Sequence, residues 1–484
     1  MTDKIKIWLD ANRGRITDEW FELLRFPSVG TAAAHLQDCK DCARWLAAWL
    51  ERLGFGVSWQ GADCAPPILF AERKTRGDKT LLIYGHYDVQ PADPETAWQS
   101  PPFAPEIRNG RVYARGAQDN KGQIWWTLQA VRAAIECGVE TPNIKIILDG
   151  QEESGSGELV KMIEKIRKCE NAKTRKLENA EIRKCGNAEI RKFENFETQN
   201  SRDSVLLVAD TGACADGRPA LTAGLRGVSS VSFRLHGADH DLHSGTHGGV
   251  APNPAHELAR IVAEMFNPDG SIAVEGFMDA VAPPSEAEIA LALATPFDER
   301  QYEATTGVAP SGGAVGTPPQ IRGSLLPTIE VNGFHSGYGG EGGKTIIPAF
   351  AEVKISCRTV PNQTPAQVIG ALRGHFKRRV KNGLRLEEIY AEEGACALRI
   401  GADSPYAKAA LRIFGGMDPR GGAVVYEGAS IHVIGALAEV SGAEPLLVGF
   451  GQDADRIHSP DESYSFGQAE MNFRFASELI AFLR

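Results

Sequence analysis

The 484 residues, 43% of them hydrophobic, are enough for two or three ordinary domains, each with a core of its own. A formal net charge of −10 argues against a general nucleic-acid binder, which needs a basic face, and against a polybasic membrane anchor. The nine cysteines are odd in number and scattered, which fits reduced thiols better than a disulfide framework.

The N-terminal stretch MTDKIKIWLDANRGRI has no uninterrupted apolar core, and no run in the chain is long enough to span a bilayer. A cytoplasmic protein is therefore expected. The first half alternates helix-like and strand-like segments. IKIWLDANRGRITDEWFELLRF and DCKDCARWLAAWLERLGF carry apolar residues at helical spacing. Cys39 and Cys42 form a lone CxxC in the second of these and read as ordinary helix positions rather than a zinc site. The runs PILFAER, TLLIYGHYDV, NIKIILDG and SVLLVAD are continuously apolar, as in strands covered on both faces. KGQIWWTLQAVRAAIECG reads as a helix, with Asp119 and Asn120 as cap candidates.

A segment at 166–200 is foreign to this pattern. It repeats every eight residues, with Arg at 167, 175, 183 and 191. Such a period drifts by roughly 80° per repeat around a helix and cannot keep one face on a core. It reads as an inserted, solvated arm. From about Gly227 the order becomes β-α-β-β-α-β, the split unit of a ferredoxin-like sandwich, with a Gly/Pro-rich excursion at 269–320. After about Gly401 the α/β pattern returns and closes on a helix from about Ser463. The expected organisation is one α/β domain, residues 1–226 and 401–484, interrupted by an inserted domain at 227–400.

Residues able to do chemistry collect where strands end. His86 and Asp88 follow one strand, Glu152 and Glu153 another, and Asp210 a third; Asp119 opens a helix and His458 lies in DADRIHSPDE. Ligands of open α/β sheets gather at the carboxyl ends of strands. Singly, each residue is as well explained by a cap or a surface position. Together they form the donor set of a hydrolytic zinc or manganese centre. Several carboxylates in one small volume call for cations, and two ions would neutralise them. Such a site also needs a base that is not a ligand, which gives the adjacent glutamates divided duties.

GHYDVQP, ARGAQDNKG, GQEESGS, VADTG and RIHSPDE together resemble the dinuclear metallopeptidase superfamily of carnosinases, aminoacylases and acetylornithine deacetylases, and within it the cytosolic dipeptidase or carnosinase-like subgroup. The resemblance implies a mixed-sheet α/β metallopeptidase domain carrying a ferredoxin-like α+β lid and dimerisation domain. It implies two divalent metal ions, zinc or manganese or else cobalt. Asp119 would bridge them, with His86 and Asp210 on one and Glu153 and His458 on the other. Glu152 would be the general base and acid, and Asp88 would orient His86. DLHSGTHGG implies that His243 reaches the partner subunit's active site in a homodimer and stabilises the oxyanion; His240 and His247 flank it. GGKTIIP, KISCRTVP and YEGASIH imply substrate contacts from Thr345, Arg358 and Ser430. Asp at position 210 favours a dipeptidase over the alternative, an N-acyl amino-acid deacylase; an idle peptide-binding protein is the remaining reading. Two departures stand out: the eight-residue repeat has no counterpart in the subgroup, and the stretch around Gly394 carries no histidine. GYGGEGGKT evokes a phosphate loop, but Tyr338 stands where that motif needs Gly.

Overall fold

The computed structural model describes residues 2–174 and 204–484. Most of the repeat, from 175 onward, lies outside the described residues. The chain divides into two compact units. Unit 1 comprises Met1–Ala223, Ile400–Val425 and Val433–Arg484; unit 2 comprises Gly224–Arg399 and Tyr426–His432.

Unit 1 is built on a mixed sheet. Its strands are β1 (Gly56–Gln60), β2 (Ile68–Arg73), β3 (Thr80–His86), β6 (Asn143–Asp149), β7 (Ser204–Gly212), β8 (Ala220–Leu225) and β17 (Glu444–Gly451), in the order β1-β2-β6-β3-β7-β17-β8. The centre, β6-β3-β7-β17, is parallel, and antiparallel strands flank it. Every residue of β3 is buried. Leu81 and Ile83 join one large apolar cluster, and the alternate residues Leu82 and Tyr84, buried just as fully, face the opposite side. This two-sided burial explains the unbroken apolar runs.

Four helices supply much of the large cluster: α1 (Asp3–Leu24), α2 (Leu36–Arg52), α3 (Lys121–Glu136) and α9 (Phe466–Leu483). Trp20 meets Trp126 edge-on at 6.0 Å, and Trp125 lies 5.0 Å from Trp49. Cys39 and Cys42 are buried free thiols on α2. A further helix, α4 (Gly157–Thr174), follows β6.

The final helix begins at Phe466, three residues later than the pattern suggested. Ser463–Ser465 instead form a strand, β18, paired antiparallel with β5 (Arg111–Tyr113), which pairs with β4 (Glu106–Arg108). Three-residue strands leave no readable period, so pairing between distant segments decides them.

Unit 2 carries an antiparallel sheet of β9 (Gly227–His236), β11 (Thr328–Ser336), β13 (Phe350–Thr359) and β14 (Arg385–Ala395), in the order β11-β13-β9-β14. Helices α5 (Pro254–Ala263) and α6 (Pro365–Arg379) pack on it through Leu258, Ile261, Ile369, Leu372 and Phe376, which is the ferredoxin-like arrangement. The excursion at 269–320 holds two further helices, Glu286–Ala294 and Glu299–Thr306, started by a Ser285 capping box and by Asp298. A separate ribbon pairs β10 (Leu242–His243) with β12 (Ile346–Ile347).

Candidate metal centre

His86 ends β3, and Asp88 follows it as the chain leaves the sheet. Beside it, β6 ends at Asp149, and the chain turns through Gly150 and Gln151 into the 3-10 turn Glu152–Ser154. Asp210 lies near the end of β7. Parallel pairing aligns these carboxyl ends, so side chains distant in sequence share one rim.

The centre is organised around two imidazoles and one shared carboxylate. His86 Nε2 lies 3.2 Å from Asp119 Oδ1, 3.7 Å from Asp210 Oδ1 and 4.0 Å from Glu152 Oε2. His458 Nε2 lies 2.9 Å from Asp119 Oδ2 and 3.4 Å from Glu153 Oε2. The two oxygens of Asp119 thus face different histidines. One ligand atom from each of His86, Asp119 and Glu153 can be chosen so that all lie within 4.8 Å of one another, a group able to hold a metal ion.

Asp88 does more than orient one ring. Its Oδ1 lies 3.3 Å from His86 Nδ1, and its two oxygens accept the backbone N–H groups of Glu152, at 3.2 Å, and Glu153, at 3.1 Å. One buried carboxylate therefore holds both the imidazole and the turn bearing the glutamate pair.

The charge balance is tight. Burial pushes Asp210 up to about 6, against the pull of the His86 charge. Burial pushes Glu152 well above the usual carboxylate range; His86 opposes this, and Asp210, Asp119 and Glu153 add to it. Burial would also raise Asp119, but hydrogen bonds with His458 and His86 outweigh it and hold Asp119 low. His458 is pushed up to about 10, first by its hydrogen bonds to Asp119 and Glu153. Burial would lower His86, yet Asp210, Asp119 and Asp88 raise it. Carboxylates that lean this heavily on two imidazoles match the needs of divalent cations. Glu153 fits the same demand: its Oε2 accepts from Gln90 Nε2 at 2.7 Å, while its buried Oε1 has no hydrogen-bond partner among the described residues.

Asn120 corrects one sequence expectation. It stands at the N-cap position of α3 but makes no capping bond. Its Nδ2 donates to Ala209 O at 2.8 Å and Asp210 Oδ1 at 2.6 Å, and its Oδ1 accepts from His86 N at 3.4 Å. It fastens the ends of β3 and β7 to each other.

The other candidate residues fall in unit 2, in two pairs. His243 and Thr345 are exposed on and beside the β10–β12 ribbon, where Ser244 N donates to Thr345 O at 3.0 Å. His243 Nδ1 accepts from Gly245 N at 3.0 Å, which puts the proton of the neutral ring on Nε2. Arg358 Nη1 donates to Ser430 Oγ at 3.0 Å, and Ser430 Oγ donates to Arg226 O at 2.5 Å. Arg358 is half-buried and forms no ion pair among the described residues. Arg226, missed in the sequence, is buried and donates to the carbonyls of Gly428, Arg322 and Leu326.

Imidazoles and carboxylates gathered at the carboxyl rim of the parallel centre of a mixed sheet define a metallohydrolase. Residues 82–481 match the model of the peptidase family M20/M25/M40, and the chain belongs to that family of metallopeptidases. It is 29% identical to the Cys-Gly metallodipeptidase dug1 of Schizosaccharomyces pombe, over 95% of this chain and 94% of that one. It is 27% identical to the Beta-Ala-His dipeptidase of Homo sapiens, over 82% and 73%. An M20 family metallo-carboxypeptidase from Sulfolobus solfataricus, Sso-CP2, superposes with a TM-score of 0.79 at 26% identity, covering 97% of this chain and 99% of that one. Human carnosine dipeptidase 1 superposes with a TM-score of 0.73 at 24% identity, covering 99% of each.

Proposed function

We propose that the protein is a two-metal dipeptidase. The observation that carries this reading is the shared Asp119, each of whose oxygens faces a different imidazole, with the Glu152 carboxylate farther out at 4.0 Å from His86 Nε2. His86 and Asp210 would hold one divalent cation, Glu153 and His458 the other, with Asp119 between them. When bound, zinc or manganese, or cobalt in their place, polarises the scissile carbonyl and makes a nearby water acidic.

Glu152 takes a proton from the attacking water and delivers it to the leaving amine. Burial raises its pKa, which makes the carboxylate a stronger acceptor for that proton. Asp88 keeps His86 and the Glu152–Glu153 turn in fixed relation. Arg358 offers a planar fork to the substrate's carboxylate, with Ser430 and Thr345 as further contacts. His243 would donate from Nε2 to the oxyanion in the partner subunit's site, which makes the active form a homodimer.

The S. pombe relative is named for Cys-Gly and the human one for Beta-Ala-His, so small dipeptides are the substrates expected here. A cytoplasmic location is part of the same proposal; no helix of the described residues is long and apolar enough to cross a membrane. A substrate panel tests the reading. The chelated protein, with zinc, manganese or cobalt restored, is expected to cleave Cys-Gly, β-Ala-His or related dipeptides. Cleavage of N-acyl amino acids without any dipeptide would make it a deacylase on the same scaffold.

A further inference from the structure

We propose that Glu462 is a positioning residue that sets the Asp119 carboxylate and ties three of the loops of the metal centre, those bearing His86, Asp119 and His458, into one piece. The inference rests on the two-metal reading of that site.

Glu462 is fully buried. Its Oε1 accepts the backbone N–H groups of Gln118 and Asp119, each at 3.0 Å. Its Oε2 accepts Gly116 N at 3.0 Å and Arg115 Nη1 at 2.7 Å. All four partners are donors, so both oxygens must be acceptors, a demand that a carboxylate meets and an amide does not.

The reach of this contact exceeds one loop. Arg115 Nη2 donates to Pro91 O at 3.1 Å, on the segment leaving His86 and Asp88. Glu462 O accepts Ala114 N at 3.1 Å, and the β18–β5 pairing continues from there. His458 lies four residues upstream and bonds Asp119 directly. The Glu462–Arg115 pair therefore joins the loops that bear His86, Asp119 and His458. The loop itself is tightly drawn. Gly116 has φ +81°, and a Cβ there would lie 2.7 Å from Val89 Cγ1. Glu462 touches none of the seven side chains assigned to the centre, yet it fixes the backbone from which Asp119 projects.

Titration of the metal-stripped, full-length protein with Co2+ tests the proposal, read by visible absorption and by binding heat. The wild type is expected to take two ions per chain. Glu462→Gln keeps the volume but turns an amide NH2 toward N–H donors. It is expected to bind Co2+ about 10–100-fold more weakly and with a changed absorption spectrum. Glu462→Asp keeps the charge one methylene short, so a smaller loss in the same direction is expected; it serves as the test if the Gln variant does not fold. Phe473→Leu, which loosens the core stack on Trp8, lowers thermal stability and is expected to leave Co2+ affinity unchanged. Wild-type affinity and spectrum in folded Glu462→Gln, or in Glu462→Asp if only that variant folds, overturns the inference. An equal affinity loss in Phe473→Leu overturns it too, because lost stability alone would then suffice. A wild-type chain that binds no Co2+ sinks the two-metal reading and this inference with it, a result distinct from either of the others.

Discussion

The two units hold their candidate residues in opposite ways. In unit 1 the centre is fastened from behind: Asp88 grips the glutamate turn, Asn120 links two strand ends, and Glu462 grips the Asp119 loop, all three fully buried. In unit 2 His243 and Thr345 stand exposed beside a ribbon of two-residue strands, and Arg358 is half-buried against a serine. A preorganised rim suits groups that meet developing charge, where a small misplacement is expensive in rate. An exposed imidazole suits a group that finds its target only when substrate and partner are in place.

The largest expected effect is at the centre of the rigid side. If Glu152 is the proton carrier, Glu152→Gln removes it without touching the shared Asp119, and kcat should fall about 10²–10⁴-fold. Metal content, measured by atomic emission, should stay at the wild-type level. Normal turnover in that variant would end the assignment of Glu152. A fall in metal content alongside kcat would make Glu152 a ligand and blur the division of labour between the two glutamates.

The same contrast explains what could be read from the chain. The parallel strands are visible because burial on both faces leaves continuous apolar runs, as in Leu81–Tyr84. His86, Glu152, Glu153 and Asp210 stand out because a charged or imidazole side chain at the end of such a run is conspicuous. The parts that fasten them are not. Glu462 and Arg115 lie 347 residues apart, and nothing in either neighbourhood marks them as partners. Asn120 carries the ordinary signature of a helix cap and is used for something else. The three-stranded sheet of β4, β5 and β18 is invisible for a related reason: its strands are too short to show a period, and distant pairing alone selects them.

On the looser side, the expectation for His243 is smaller but more specific. Loss of one oxyanion donor lowers kcat about 10²–10³-fold. If His243 serves the partner's site, a mixture of inactive Glu152→Ala and inactive His243→Ala subunits recovers activity. Each heterodimer then holds one site with both groups intact. Heterodimers verified by differential tagging that remain inactive would return His243 to its own chain and remove the need for a dimer.

The smallest effect concerns stability and separates the units by acid. His375 on α6 is buried in unit 2, with Nε2 donating to Ile261 O at 2.9 Å and a buried Nδ1 that has no partner among the described residues. Burial lowers its pKa, and Arg379 and Arg378 act in the same direction, while its bond to Ile261 and the Glu264 charge oppose. Below the ordinary histidine pKa of about 6.5 the unfolded chain then binds a proton that the folded chain resists. Stability is therefore lost as pH falls through that value, by at most about 1.4 kcal/mol per pH unit from this one group. Denaturant unfolding at pH 7 and pH 5 reads the loss, with unit 2 followed by hydrogen exchange on β9 and β13. His375→Gln, which cannot titrate, should flatten the pH dependence in unit 2 and leave that of unit 1 unchanged. Parallel curves for wild type and variant would show that the acid sensitivity of unit 2 lies elsewhere.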